Sequence, residues 1–229
     1  MITAGKRRIT ICIAMCMLLA LMLAACSDAA LFGWFKHKSQ GNVVVVKHTL
    51  VIFPFDKDAE SAESVPDEYG ETIAGYLRTA MSSSKGYSTL LYDARLMPIK
   101  RAVGDNVIKE QDTKGPFVTD KPKAMKLADL LAIDYYIVGS IEGYTYDKEK
   151  KTVEITLKAD LVAADSGKLV QEFLVAATAG DGNQADDEEE LRTLAAGKAV
   201  QALKEKILAT SPADVKAQTV EQPKEQTEE

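Results

Sequence analysis

The chain has 229 residues, 46% hydrophobic and 27% charged, which predicts one globular domain with flexible ends. Its net charge of −6 argues against a nucleic-acid partner, because phosphate binding needs clustered Lys and Arg. The cysteines are Cys12, Cys16 and Cys26, and the two histidines, His37 and His48, precede or begin the domain. We therefore expect no cofactor, no metal site and no enzyme activity from a Ser-His-Asp or Cys-His arrangement.

The amino-terminal segment has the order of a signal peptide. Lys6, Arg7 and Arg8 precede an apolar run over 9–23, and small residues follow it. The alternative is a transmembrane helix, but the run falls short of the ~20 apolar residues that such a helix needs. Residues 1–25 are therefore predicted to be a signal peptide.

The end of this segment, Leu23-Ala24-Ala25-Cys26, resembles the bacterial lipobox. The resemblance implies cleavage before Cys26 and lipidation of its sulfur, which would hold the mature chain on a membrane. Ser27 at the following position favours the outer membrane, with the chain facing the periplasm. Residues 26–47 are then the lipidated cysteine and a linker, in which the apolar segment 31–35 either lies in the membrane interface or packs on the domain.

The globular part is predicted over 48–209, and its first half alternates strands with helices. Apolar runs predict strands at 43–46 and 49–53, and helical spacing of apolar residues predicts a helix over 67–81. A strand over 87–92 and a short helix over 94–103 follow, and the polar segment 104–119 is predicted to be a loop. Asp120 is placed to cap the next helix, which runs to Ile133-Asp134.

The second half is predicted to be an antiparallel meander, a long helix and a tail. Strands are expected over 135–146, 152–163 and 168–178, with Asp165-Ser166-Gly167 as a hairpin turn. A helix over 186–208 precedes a disordered tail, 210–229. The expected fold class is α/β, a mixed parallel and antiparallel sheet of about five strands packed with helices.

Four segments in this order, within residues 48–208, resemble the CsgG-like lipoproteins of curli secretion and the amino-terminal domain of TolB. They are the strand 50–55 ending in Pro-Phe, the helix 70–81 with the segment 87–96 that follows it, the helix–strand junction 124–141 and the hairpin 165–170. The resemblance implies a sandwich fold that serves assembly in the cell envelope, and it implies no catalytic residues.

One side of the predicted strand 135–146 carries polar and tyrosine side chains. Strand alternation places them opposite Ile137, Gly139 and Ile141, beside the polar side of the next strand. The candidate partner-contact face comprises Tyr136, Ser140, Glu142, Tyr144, Tyr146, Glu154, Thr156 and Lys158. The alternative is an ordinary solvated sheet face.

The acidic stretch 181–188 lacks the glycine and the terminal glutamate of a calcium loop, so helix capping explains it better than a weak divalent cation site.

These features predict a non-enzymatic factor that binds another envelope protein, or a second copy of itself. The alternative is a subunit of a CsgG-like oligomeric secretion channel. A third class, an envelope hydrolase, would need two carboxylates converging in a deep pocket.

Overall fold

The computed structural model describes residues 47–58, 64–180 and 187–210. They form one mixed α/β sheet with helices on both sides, so the predicted fold class is confirmed. The predicted strand 43–46, the signal peptide, the linker and the tail from residue 211 lie outside the described residues.

The sheet has five strands on its main path and a sixth short strand beside it. In chain order the strands are β1 (His48–Ile52), β2 (Asp56–Lys57), β3 (Tyr87–Leu91), β4 (Tyr135–Asp147), β5 (Thr152–Ala163) and β6 (Leu169–Ala179). Their spatial order is β3-β1-β4-β5-β6, and β2 pairs with β4. The β1 pairs with β3 and β4 are parallel, whereas β4, β5 and β6 are antiparallel neighbours.

The helices are α1 (Tyr69–Met81), α2 (Met97–Gly104), α3 (Lys121–Leu130) and α4 (Glu188–Ala209), and a 3₁₀ helix spans Glu110–Thr113. Helix α3 begins as predicted, since the Asp120 side chain accepts a hydrogen bond from the Lys123 amide at 3.2 Å. Helix α4 begins with three glutamates, where the helix dipole favours negative charge.

Helices α1 and α4 cover one side of the whole sheet. Apolar residues at helical spacing, such as Ile73 and Leu77 of α1, pack against the apolar positions of the strands. Strand β5 contributes its alternate residues Val153, Ile155 and Leu157 to this core. This layer is the larger of the two apolar clusters and fixes which side of the meander is buried.

Helices α2 and α3 cover the other side, over the parallel half of the sheet. Their apolar residues cluster with Phe53 and Tyr136. Ile108 and Phe117 also pack here, although the segment 104–119 was predicted to be a plain loop. The segment also contains the 3₁₀ helix. Ile108 and Phe117 anchor this otherwise polar stretch to the sheet.

Candidate functional site

The first candidate site is the side of the antiparallel meander that faces away from α1 and α4. Apolar residues of α2 and α3 reach this side at Tyr136, Val138 and Val162, close to the parallel strands. Farther from the parallel strands, no helix of the described chain packs apolar residues on the cross-strand rows of this side. We call these rows the open face, which comprises Glu142, Gly143, Thr145, Glu154, Thr156, Lys158, Glu172, Leu174, Ala176 and Thr178.

Charged groups dominate the open face. Lys158 Nζ lies 3.0 Å from Glu172 Oε2, and this glutamate raises the pKa of the lysine. Glu142 accepts a hydrogen bond from the Ser140 hydroxyl. Among the described residues neither Glu142 nor Glu154 has a cationic partner within ion-pair distance. The open face therefore carries three carboxylates against one lysine, and this lysine interacts with both Glu172 and Glu142.

An ion pair with a buried carboxylate marks the border between the open face and α3. Lys121 Nζ, at the start of α3, lies 3.0 Å from Asp160 Oδ2 on β5. Asp160 is 5% exposed, and its second oxygen has no hydrogen-bond partner in the described structure. Removing Lys121 would leave the buried Asp160 carboxylate without its cation, which is costly, so the contact holds the start of α3 on the sheet.

Two predicted site residues, Tyr144 and Tyr146, lie on the opposite side of β4. The pairing of β4 with β5 shifts by one residue between Ile141 and Gly143, so Glu142 is an extra residue in a β-bulge. A bulge reverses the sides of all later side chains. The Tyr144 hydroxyl therefore donates to Glu188 of α4 at 3.1 Å, and burial raises the pKa of Tyr144 to about 12. Placing these tyrosines on the polar face was wrong.

Tyr136 and Ser140 are on the predicted side of β4 but are buried. The Tyr136 ring lies edge-on to Phe53, with 6.0 Å between the ring centroids, and burial raises the pKa of Tyr136. Helix α3 and the residues around it cover this row, so Tyr136 is a core residue. The prediction of an exposed tyrosine there was wrong.

Four predicted residues do share the open face: Glu142, Glu154, Thr156 and Lys158. Strand β6 also contributes to the open face, which was not predicted: Glu172 pairs with Lys158, and Leu174 is 58% exposed. The predicted hairpin between β5 and β6 was the signal that could have identified these β6 residues, because the two strands of a hairpin are neighbours in the sheet.

A cleft at the carboxyl ends of β1 and β3 is the second candidate. It encloses about 610 Å³ and is lined in part by Asp56, Asp93 and Arg95. Parallel sheets commonly bind ligands at this end of their strands. The Arg95 guanidinium bonds both oxygens of Asp93, which lowers the pKa of Asp93 to about 2.

The polar groups of this cleft also bond to one another. Asp56 Oδ2 accepts the amide protons of Phe117 and Val118 at 2.6 and 2.7 Å, and Tyr92 donates to the Thr113 carbonyl at 2.7 Å. These contacts hold the loop before α3 on the sheet. The cleft residues thus have structural roles, and the open face remains the stronger candidate.

Two other predicted sites lie wholly or mostly outside the described residues. Cys26 lies outside the described residues, and so does most of the acidic stretch 181–188. Within the described ranges no three His, Cys, Asp or Glu side chains are grouped to hold a metal ion. No helix in those ranges is long and apolar enough to cross a membrane.

No protein-family model and no curated protein matches this chain. Among solved structures, a PelC dodecamer from Paraburkholderia phytofirmans is 12% identical with a TM-score of 0.47, over 75% of this chain and 89% of that chain. The LpoB C-terminal domain from Salmonella enterica is 15% identical with a TM-score of 0.42, over 60% and 87%. A lipoprotein from Neisseria meningitidis is 16% identical with a TM-score of 0.40, over 71% and 99%. Since these TM-scores are below 0.5, the likenesses carry no argument about what this chain binds.

Proposed function

We propose that this chain is a bacterial lipoprotein, held by lipidated Cys26 on the outer membrane and facing the periplasm. Its role is to bind another envelope protein on the open face, without catalysing a reaction. The more specific assignment, a domain of the CsgG-like or TolB amino-terminal kind, rests on the sequence resemblance alone.

The open face carries this proposal because it is uncovered beside a well-packed core. On the other side of β4, β5 and β6, Ile155 and Leu157 are buried in the core that α1 and α4 cover. The open side of these strands combines exposed Leu174 with more carboxylates than cations, among them Glu142 and Glu154. A mixture of apolar and charged groups is typical of a non-obligate protein interface. Its charge favours a partner surface that carries Lys or Arg.

Site-specific photo-crosslinking in cells tests the binding face. A photoreactive residue at Thr156, in the middle of the open face, is expected to yield an adduct of one defined mass. The same residue at Arg78, exposed on α1, is expected to yield none. Glu154→Arg should weaken the Thr156 adduct by about tenfold, because it places a cation against a cationic partner surface.

Glu189→Arg is the matched control, since it makes the same charge change on α4, which packs on the other side of the sheet. Equal adducts from Thr156 and Arg78, or an adduct unaffected by Glu154→Arg, would refute the open face as the binding surface. A large ring-shaped oligomer in detergent would instead favour the channel alternative.

The membrane anchor is tested separately. Cys26→Ser should abolish incorporation of labelled palmitate and release the protein from the membrane fraction. An unchanged apparent mass and unchanged membrane association in this variant would exclude the lipoprotein assignment.

A further inference from the structure

The outer edge of β6 differs from an ordinary exposed strand edge. In the described chain β6 pairs with β5 on one side, and no strand pairs with its other side. Lys206 Nζ donates to the Leu174 carbonyl at 2.8 Å, and Lys198 Nζ donates to the Thr178 carbonyl at 3.0 Å. Two side chains of α4 therefore occupy backbone acceptors that a further strand would use.

The ladder geometry extends this observation to the intervening residue. Along a strand in an antiparallel pair, one residue directs its N–H and C=O groups toward the paired strand, and the next residue directs both groups away from it. Since the Leu174 and Thr178 carbonyls face outward, the N–H and C=O groups of Ala176 do so as well. The stretch from Leu174 to Thr178 thus presents three outward residues, and lysines bond the carbonyls of the first and the third.

Helix α4 runs beside this edge and offers space next to it. Lys198, Ala202 and Lys206 recur every four residues, which places them on one face of the helix. A shallow groove of about 600 Å³ lies along this part of α4, and its lining includes Leu194 and Gly197. A Cβ atom at Gly197 would meet no atom within 4 Å, so this groove has room for side chains.

The lysine contacts are exchangeable. Both ammonium groups are on exposed side chains, and hydrogen bonds between exposed groups contribute little net stability. Exposed lysines near an edge strand discourage unspecific pairing. A strand that supplies its own N–H donors, and carboxylates to receive the displaced ammonium groups, would replace both contacts.

We propose that the β6 edge accepts an extended segment of a partner protein that carries two carboxylates four residues apart. Eight helical residues separate Lys198 from Lys206, a rise of ~12 Å. Four residues of a strand span ~13 Å, so the two spacings match. The residue midway between the carboxylates faces Ala202 and the groove, which suits a small apolar side chain. The residue next to it in the partner segment points to the opposite side of the sheet, where it faces Leu174.

A second copy of this chain fits the edge poorly. The residues of β6 on the α4 side of the sheet are Gln171, Phe173, Val175, Ala177 and Ala179, which include no carboxylate. Pairing of two β6 edges would also bring the lysines of both copies together without compensating charge. Pairing of two copies through β6 is thus disfavoured, and the proposed occupant is a strand of a different protein. The edge uses the backbone groups of Leu174, Ala176 and Thr178, whose side chains belong to the open face. The lysines that test the edge lie on α4, away from that face, so either proposal can fail while the other stands.

Hydrogen exchange measured by mass spectrometry on the full mature chain tests the proposal. The probe is a blocked seven-residue peptide, Thr-Glu-Thr-Val-Thr-Glu-Thr, at millimolar concentration. Pairing should slow exchange of the outward amides of Leu174, Ala176 and Thr178 by about tenfold. A peptide with both glutamates replaced by glutamine, or the double variant Lys198→Gln with Lys206→Gln, should lose this effect. Lys204→Gln on the same helix is the matched control and should keep it.

Four outcomes would overturn the proposal. Unchanged exchange with the acidic peptide would leave the lysines as edge shields only, and equal slowing by the glutamine peptide would remove the role of charge. Slowing that depends on protein concentration, with a rise in mass, would assign the edge to a second copy. Faster exchange after removal of residues 211–229 would assign it to the chain's own carboxyl-terminal segment.

Discussion

The Asp56 carboxylate holds the loop before α3 on the sheet, and substitutions of this residue separate the effect of its charge from that of its shape. One oxygen, Oδ2, accepts both the Phe117 and the Val118 amide protons. Asp56→Ala removes this acceptor and leaves two amides without a protein partner. Asp56→Asn keeps an oxygen in the same place.

The expected losses differ in size. An amide left unpaired costs about 1–3 kcal/mol, and water can reach this partly exposed site, so Asp56→Ala should cost about 2–4 kcal/mol of unfolding free energy. Burial raises the pKa of Asp56 above its usual value of 3.8, although both amides act to lower it. The negative charge is thus a net cost to the folded state. Asp56→Asn should therefore cost at most about 1 kcal/mol.

The raised pKa also predicts how stability changes with pH. Between 3.8 and the raised pKa the folded chain binds more protons at this carboxyl than the unfolded chain does. The free energy of unfolding that Asp56 contributes must then fall as the pH rises through this window. Asp56→Asn cannot titrate, so the stability of the natural chain relative to this variant should fall over the same window.

Urea denaturation followed by circular dichroism, in a Cys26→Ser background, gives the required free energies. Equal losses for Asp56→Ala and Asp56→Asn at neutral pH would refute the reasoning, because they would show that the charge itself stabilises the loop. A relative stability that rises with pH would contradict the sign of the pKa shift.

Two further predictions concern paired positions measured in the same assay. Gly70→Ala should cost about 1–3 kcal/mol because its Cβ would overlap the Phe55 carbonyl oxygen, whereas Gly75→Ala has open space and should gain about 0.5–1 kcal/mol from helix propensity. Leu157→Ala in the buried layer should cost about 2–5 kcal/mol, and Leu174→Ala on the open face should stay within about 0.5 kcal/mol. Similar effects within either pair would contradict the packing described here.

The sequence predicted the parts of the fold that depend on local periodicity. The helical spacing of Ile73 and Leu77 placed α1, and the alternation of Val153, Ile155 and Leu157 gave both the position and the buried side of β5. These patterns repeat within a few residues, so each can be read without knowing what packs against it.

Long-range packing explains the errors at the candidate site. The burial of Tyr136 depends on where α3 lies across the sheet, which strand alternation does not reveal. The reversal of Tyr144 and Tyr146 depends on one inserted residue, Glu142. Gly143 inside the strand was the available signal, since a glycine within a strand often marks a bulge.

The short strand β2 was missed for a related reason. Its two residues pair with Ser140 and Ile141 of β4 only because the chain bends after Ile52 and continues along the same neighbour. A two-residue strand has no periodicity to detect.

The position of β1 has a mechanical consequence. A pull on the chain before His48 enters the fold through this strand, which lies between β3 and β4 and parallel to both. Force along the strand loads the hydrogen bonds on both sides together, in shear, instead of opening them one at a time. Thr49 adds a clamp at the loaded end, because its amide and hydroxyl bond Asp134 at 2.7 and 2.9 Å. The domain is therefore built to resist tension applied at the start of β1.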